Sequence, residues 1–330
     1  MDLSIVIPNN NRCKELELTL QSLCKQTYPG DQFEVIVVDQ ASGDGSRELV
    51  KKMKTPFQLR LLEQDQKYGI SVARNAGMEA AGSPIVLILD ADVLPAPEVV
   101  EAHVKAHRSS PGGLVCGRIM PYPPAYTTYI EQVANPEAGL DRGDKAGPIP
   151  FYQASGGHLS LSIDTYRKIG SWDPGLQRVQ DIEFAYRAYL LNIPISNCPQ
   201  AASYHNHPRT LLKRLEYAQT ISWWPVLYQR YPEIKGIVPW ISSFEPIKWG
   251  YDSCSSIKQK MINSIYSNSF IRWFLTQILL FLDHSRFLPK IIRGIFWRLY
   301  SGTLTKAFRD GQRIVSKNQD KTPVIININE

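Results

Sequence analysis

Cysteine is scarce in this chain of 330 residues, and the five present (Cys13, Cys24, Cys116, Cys198 and Cys254) are scattered and free of any Cys-x-x-Cys pair. That argues against a disulfide framework or a paired-cysteine zinc site and points to a reducing compartment. Long apolar runs are missing too. A spanning helix needs roughly 18 uninterrupted apolar residues, and the longest candidate, residues 271–282, is broken by Arg272, Thr276 and Gln277. The start, Met1-Asp2-Leu3-Ser4-Ile5-Val6-Ile7-Pro8-Asn9, shows no basic leader and reads as a strand, not a signal peptide. The expectation is a cytoplasmic protein, soluble or peripheral on the cytoplasmic face of a membrane. No repeat, low-complexity block or nucleic-acid-binding motif occurs, which sets aside solenoid, disordered and nucleic-acid-binding classes.

What is present is an ordinary globular composition, 43% hydrophobic and 21% charged, with a formal net charge of +6. The length suits about two domains, and such a chain buries a sizeable core without staples. Charge is unevenly spread. Residues 1–200 hold 19 basic and 23 acidic side chains, whereas residues 201–330 hold 18 and 8. The first part reads as an enzyme-type globule and the second as drawn to something anionic.

The first hundred residues alternate regularly. Residues 3–7, 33–38 and 85–89 are continuous apolar runs, as strands buried on both faces require, and residues 59–62 read as another strand. Between them, Leu16, Leu20 and Leu23 recur at helical spacing, residues 48–53 suit a short helix, and residues 70–81 suit an alanine-rich one closed by Gly82. This order predicts an α/β fold with a mostly parallel, Rossmann-like central sheet flanked by helices. Ligands bind such sheets at the carboxyl ends of the strands, which is where Asn9, Asp39, Asp90 and Asp92 stand. Residues 111–155 are rich in proline and glycine and read as a long irregular, mobile connection. Strand-like residues 159–163, helical residues 181–191 and an extended return over 193–204 follow. From Thr210 the pattern is helical and aromatic, and the last dozen residues read as a loose tail.

Asp90 and Asp92, one residue apart directly after a buried strand, can share a hard divalent cation with phosphate oxygens. Mn²⁺ or Mg²⁺ there would neutralise charge developing on a diphosphate leaving group. Asp39 has two readings: a turn residue, or a carboxylate accepting from the N–H edge of a nucleobase or from ribose hydroxyls. Arg74 and Asn75 fall in the first turns of a helix, where they either face a pyrophosphate or base or lie on an exposed amphipathic surface.

The ordered series Ser4-Ile5-Val6-Ile7-Pro8, Val37-Val38-Asp39, Ser42, Gly69, Ala73-Arg74-Asn75-Ala76-Gly77, Asp90-Ala91-Asp92, Gly156-Gly157-His158, Ile169-Gly170-Ser171-Trp172-Asp173, residues 180–187 and His205 resembles a family 2 glycosyltransferase with the glycosyltransferase-A fold. The resemblance implies a catalytic domain over residues 1–208, its nucleotide-sugar half at 1–110 and its acceptor half at 111–208. A mainly helical, basic-aromatic region would occupy 209–330. It implies that Pro8, Asn9, Asp39, Ser42, Gly69, Arg74, Asn75, Asp90, Ala91 and Asp92 bind the donor, with Asp39 on the imide edge if the base is uracil. Asp90, Asp92 and His205 would hold the metal, with His207 close enough in sequence to be the alternative. Gly156, Gly157, His158, Trp172, Asp173 and Gln180 would line the acceptor side.

Asp181 is the implied catalytic base. A carboxylate at a helix N-terminus stays ionised because the dipole and free N–H groups favour its charge, and it can take the proton of an attacking hydroxyl. Two departures matter. Gln180 stands where the family usually has Glu, and His158 where it often has Asn, so the acceptor class or the activity itself is open to difference. The implied protein is an inverting, metal-dependent enzyme moving a sugar from a nucleotide diphosphate, UDP foremost, to a hydroxyl of a glycan, lipid-linked or other acceptor, as in polysaccharide biosynthesis. The rivals are a nucleotidyltransferase, disfavoured by the lack of a glycine-rich, lysine-bearing phosphate loop, and a non-catalytic sugar-nucleotide-binding or membrane scaffold protein. Residues 270–282 and 287–300 interleave aromatic and basic side chains, as in helices packed on a domain or lying against an anionic membrane surface.

Overall fold

Four strands, β1 (Leu3–Asn9), β2 (Phe33–Gln40), β3 (Gln58–Gln64) and β4 (Ile85–Leu89), form the parallel part of the sheet in the computed structural model, in the order β3-β2-β1-β4. It describes residues 1–122, 142–206, 210–282 and 289–317. His207, most of the 111–155 connection beyond its first strand, and the C-terminal tail lie outside the described residues. β2 is buried at every position and β1 at all but one, which is why both read as uninterrupted apolar runs. β3 is the edge and has no fully buried residue. Helices α1 (Cys13–Leu23), α2 (Ser46–Lys52) and α3 (Ile70–Ala80) connect the strands. Leu16, Leu20 and Leu23 of α1 pack with Ile5, Val35 and Leu87 in the core.

The chain then adds β5 (Val93–Pro95), α4 (Val99–Ser109), β6 (Leu114–Pro121), β7 (Gly147–Pro148), β8 (His158–Ser162), α5 (Ile163–Ile169), α6 (Gln180–Leu190) and β9 (Ile195–His205). Among the described residues the strand order runs β3-β2-β1-β4-β8-β6-β9-β5, with β7 beside β9. Antiparallel β4–β8 and β6–β8 pairs join the parallel half to the rest. The α/β architecture is therefore as expected, with a mixed second half. The irregular reading of residues 111–155 fails at its start, where residues 114–121 are β6. Gly117 hid that strand, and a β-carbon there would collide with the His158 ring.

The described residues form two compact units, one running to Asn206 and the other beginning at Thr210. The second unit is helical: α7 (Leu211–Ala218), α8 (Trp224–Arg230), α9 (Ile234–Ile237), α10 (Cys254–Tyr266), α11 (Ser269–Leu282) and α12 (Pro289–Lys317). Its buried Lys260 is paired with Asp252 at 2.8 Å. No described helix is long and apolar enough to cross a membrane.

Candidate active site

Strand register assembles the site. Asn9 and Asp39 are partners across the parallel β1–β2 pair, so both side chains emerge at the same carboxyl end. Asn9 Nδ2 donates to Asp39 Oδ2 at 2.8 Å, while the Ser42 backbone N–H (3.1 Å) and Arg47 Nε (2.6 Å) donate to Asp39 Oδ1. Burial pushes the Asp39 carboxyl up, and the hydrogen bonds from Ser42, Arg47 and Asn9 outweigh it and hold the group below the usual range. Asp39 is thus a fixed, ionised acceptor at the end of β2. Pro8 precedes this end on β1, opposite Val38. Gly69, with φ of +101°, opens α3 with its N–H and carbonyl both bonded to the Gln40 amide.

β4 ends at Leu89, and the chain turns through Asp90, buried Ala91 and Asp92 into β5. The Ala91 carbonyl accepts from Thr19 of α1 at 2.8 Å, which anchors the turn. β5 pairs antiparallel with β9, placing His205 opposite Val93. This brings His205 Nε2 within 3.6 Å of Asp92 Oδ2. The same oxygen receives Arg12 Nη1 at 2.6 Å.

Arg74 departs furthest from its surface reading. It is 1% exposed, its Nη1 pairs with Asp181 Oδ1 and its Nη2 lies 3.5 Å from Asp90 Oδ1. One guanidinium thereby holds a carboxylate of α6 beside a carboxylate after β4. Burial, together with nearby Asp92 and Asp181, pushes the Asp90 carboxyl up against the opposing pull of Arg74 and His205. Gly156 and Gly157 run along this cluster: a β-carbon on Gly157 would sit 2.5 Å from Asp90 Oδ2, and one on Gly156 would strike Asp181 and Arg74. Only glycine lets the backbone pass that close, and the Gly157 carbonyl accepts the Asp90 N–H at 3.0 Å.

Four expected site residues are engaged within the fold. Asn75 donates from Nδ2 to the Trp172 carbonyl at 2.8 Å and accepts the Trp172 N–H at 2.9 Å, so it ties α3 to the 172 turn. Trp172 is fully buried, its ring stacked 4.0 Å from Phe184, and offers no face to a sugar. His158 is also fully buried. Its Nε2 meets His103 Nε2 at 3.0 Å, and His103 and His107 each contact Ser160 Oγ at 2.7 Å. Burial drives His158 down to about 3 and His107 to about 4, so these rings are neutral. Asp173 caps its own turn by accepting the Gly175 N–H at 2.7 Å. Gln180, 8% exposed, begins α6 next to Asp181, following Val179 at φ +55°. Arg12 and Arg47 were missed by sequence reasoning, although each lies in the polar stretch that follows a strand carrying a candidate residue.

Among the described residues no three acidic, histidine or cysteine side chains are gathered as a complete metal cage. A hard cation that keeps water and substrate phosphate oxygens needs only one or two carboxylates. Asp92 and His205, 3.6 Å apart, are donor types that suit Mn²⁺ or Mg²⁺ in that mode, and Asp90 precedes Asp92 by two residues.

Residues 4–159 match the family model described as glycosyl transferase family 2. The chain is 35% identical over 226 residues to validoxylamine A glucosyltransferase of Streptomyces hygroscopicus subsp. jinggangensis, covering 59% of this chain and 53% of that one. It therefore spans about half the length of that curated relative. Among solved structures it is similar to the mannosyltransferase PcManGT from Pyrobaculum calidifontis in complex with GDP-Man and Mn²⁺, with a TM-score of 0.60 and 17% identity over 93% of this chain and 87% of that one. It is also similar to S. aureus TarS 1–349 in complex with UDP, with a TM-score of 0.52 and 16% identity over 99% and 94%.

Proposed function

We propose, from the premise that the chain is a family 2 glycosyltransferase over residues 4–159, that it moves a sugar from a nucleotide-diphosphate sugar to an acceptor hydroxyl with inversion at the anomeric carbon. The observation that carries this reading is the buried Arg74, which joins Asp181 to Asp90 and so puts a base candidate beside the carboxylates suited to a diphosphate. Asp39, fully buried and held by Asn9, Ser42 and Arg47, would accept the N–H of the base only once Arg47 or Asn9 yields its place. UDP is the first candidate and GDP the second, in line with the nucleotides bound by the structural neighbours.

Asp90, Asp92 and His205 would hold the divalent ion, which when bound supplies positive charge to the departing diphosphate. Asp181 takes the acceptor hydroxyl proton while that oxygen attacks the anomeric carbon. The bond to the diphosphate oxygen breaks with its electron pair, so one displacement inverts the centre. Arg74 engages one oxygen of Asp181 and orients the other toward the acceptor. Arg12, part-exposed and already on Asp92, is placed to turn to the diphosphate as phosphate replaces carboxylate in its fork. Gly156 and Gly157 keep the space over Asp90 and Asp181 free of side chains, where donor and acceptor meet. The acceptor is a hydroxyl of a glycan or lipid-linked glycan, and the basic C-terminal unit supports a place at the cytoplasmic face of an anionic membrane.

Nucleotide-diphosphate release from a panel of sugar nucleotides, with Mn²⁺, with Mg²⁺ and with EDTA, tests this reading. Metal-dependent release from one donor, abolished by Asp92→Ala, is the expected result. The absence of both release and donor binding across the panel sinks it. Gln180, in place of the family's Glu, keeps one rival in play: a protein that binds a sugar nucleotide without turnover, which would show donor binding and no release with any acceptor.

A further inference from the structure

Helix α11 turns one face inward and leaves the opposite face bare. Leu279 is fully buried and joins a cluster with Leu211, Ile292, Phe296 and Leu299, with Leu275 and Leu282 packed against it. On the other side Phe270, Trp273, Phe274, Leu280 and Phe281 recur at helical spacing, and Phe270 and Phe281 are 70% and 85% exposed. The Phe270 ring lies 6.0 Å from Trp273 and 6.5 Å from Phe274, so these three form an aromatic patch, and Leu280 and Phe281 follow on the same face beyond the exposed Gln277. Single exposed apolar residues need no explanation. A contiguous aromatic patch does.

Charge indicates what covers it. Residues 253–308 contain eight basic side chains and a single acidic one, Asp283; Lys260 and Lys306 are paired with Asp252 and Asp310 just outside that span, which leaves six. α11 has no acidic residue, and Lys290, Arg293 and Arg298 are exposed on α12 near its own exposed Trp297. A second copy of this chain would bring the same excess of positive charge against the face. An anionic surface is attracted to it, and an aromatic patch is suited to the boundary between headgroups and acyl chains. No described helix can span a bilayer, so the contact lies on the membrane.

We propose that the Phe270–Trp273–Phe274–Leu280–Phe281 face of α11 docks the protein on a bilayer rich in anionic phospholipid. The aromatic side chains enter the interface and the surrounding lysines and arginines supply the lipid selectivity. The proposal stands apart from the transferase reading, since vesicle binding is measured without a donor or turnover.

The test is flotation of the full chain with phosphatidylcholine vesicles, with and without about 30% phosphatidylserine, at low and high salt. It is run on the wild type and on the double variant Phe270→Ser with Phe281→Ser, alongside light scattering and thermal melting of both. The expected result is wild-type binding to the anionic vesicles that salt weakens, reduced at least about tenfold in the double variant while its melting temperature is kept. Equal binding to neutral and anionic vesicles, or equal binding by the two proteins, overturns the proposal. A concentration-dependent dimer that the double variant abolishes, with no vesicle binding by the wild type, also overturns it and gives the face to a second copy.

Discussion

The N-terminal unit hides charge, and the C-terminal unit shows apolar surface. In the first, Glu34, Asp39, Arg74 and Glu183 are each at most 2% exposed, and each is held by partners: Glu34 by Ser4, Arg60 and the Gly82 N–H, Asp39 by Asn9, Ser42 and Arg47, Arg74 by Asp90 and Asp181, Glu183 by Arg187. In the second, an aromatic stripe stands in solvent on a helix whose other face is well packed. Both break the usual sorting of apolar inside and charged outside, and both breaks are costly unless something compensates. Inside the first unit the compensation is already in the fold, as hydrogen bonds. For the second, the proposed bilayer would supply it. The contrast is between charges satisfied within the fold and an apolar face left exposed by it.

The largest expected effect tests the charges held within the first unit. Asp181→Asn keeps the shape and removes the basic oxygen, so transfer is expected to fall by about 10²–10⁴-fold. Donor affinity, read by calorimetry with the nucleotide diphosphate, stays within about twofold because the diphosphate ligands are untouched. Loss of folding in this variant would show that the Arg74–Asp181 pair is structural and break the comparison.

A pair of phenylalanines in the second unit sharpens the contrast between buried and bare positions. Phe296→Ala, on a fully buried ring, is expected to cost about 3–5 kcal/mol in denaturant unfolding. Phe281→Ser, on the exposed face, changes stability by less than about 0.5 kcal/mol. Equal costs would mean that this face is covered within the chain.

Acid stability probes the buried histidines. His103, His107 and His158 are all depressed by burial, to about 4 for His107 and about 3 for His158, with His103 well below its ordinary value. They stay neutral in the folded chain and take up protons once unfolded. Stability from this source is thus complete above about pH 6.5 and falls as pH drops below it, toward the folded values. The unfolded chain therefore binds more protons than the folded one between about pH 6 and pH 5, and stability falls with pH across that range. His107→Gln should reduce that slope, which urea melts across this range would read.

The smallest expected effect concerns Arg12. Arg12→Gln removes a cation that sits on Asp92, so Mn²⁺ alone should bind about two- to fivefold more tightly, followed by paramagnetic resonance of the free ion. The nucleotide diphosphate should bind more weakly by a similar factor. Unchanged affinity for both would place Arg12 outside the site.

Much of the parallel half was legible because burial on both faces writes a strand as an unbroken apolar run. Residues 85–89 were bounded in the sequence as they are in the fold, and Asp90 follows at the strand end as expected. Helix α4 was not visible, since its inward face carries His103 and His107 among Val99, Val100 and Val104, and polar residues blur an apolar period. β5 is only three residues long, too short for any period. The partners of Asn75, Trp172 and His158 were not legible for one shared reason. Their contacts lie 97 and 55 positions away along the chain, and a residue type by itself gives no sign of whether its ring or amide meets solvent or another element.

Sequence alone determined the order of strands and helices through β4 and the residue types at those strand ends, because burial periodicity and turn chemistry are local properties. It also determined the charge imbalance between the two parts, which is a matter of counting. Only the tertiary structure decided that Arg74 lies buried between Asp181 and Asp90, that His205 comes to Asp92 through the β5–β9 pairing, and that the aromatic side of α11 is the bare one. Each of these depends on which distant surfaces pack together, and packing is set by the whole core at once.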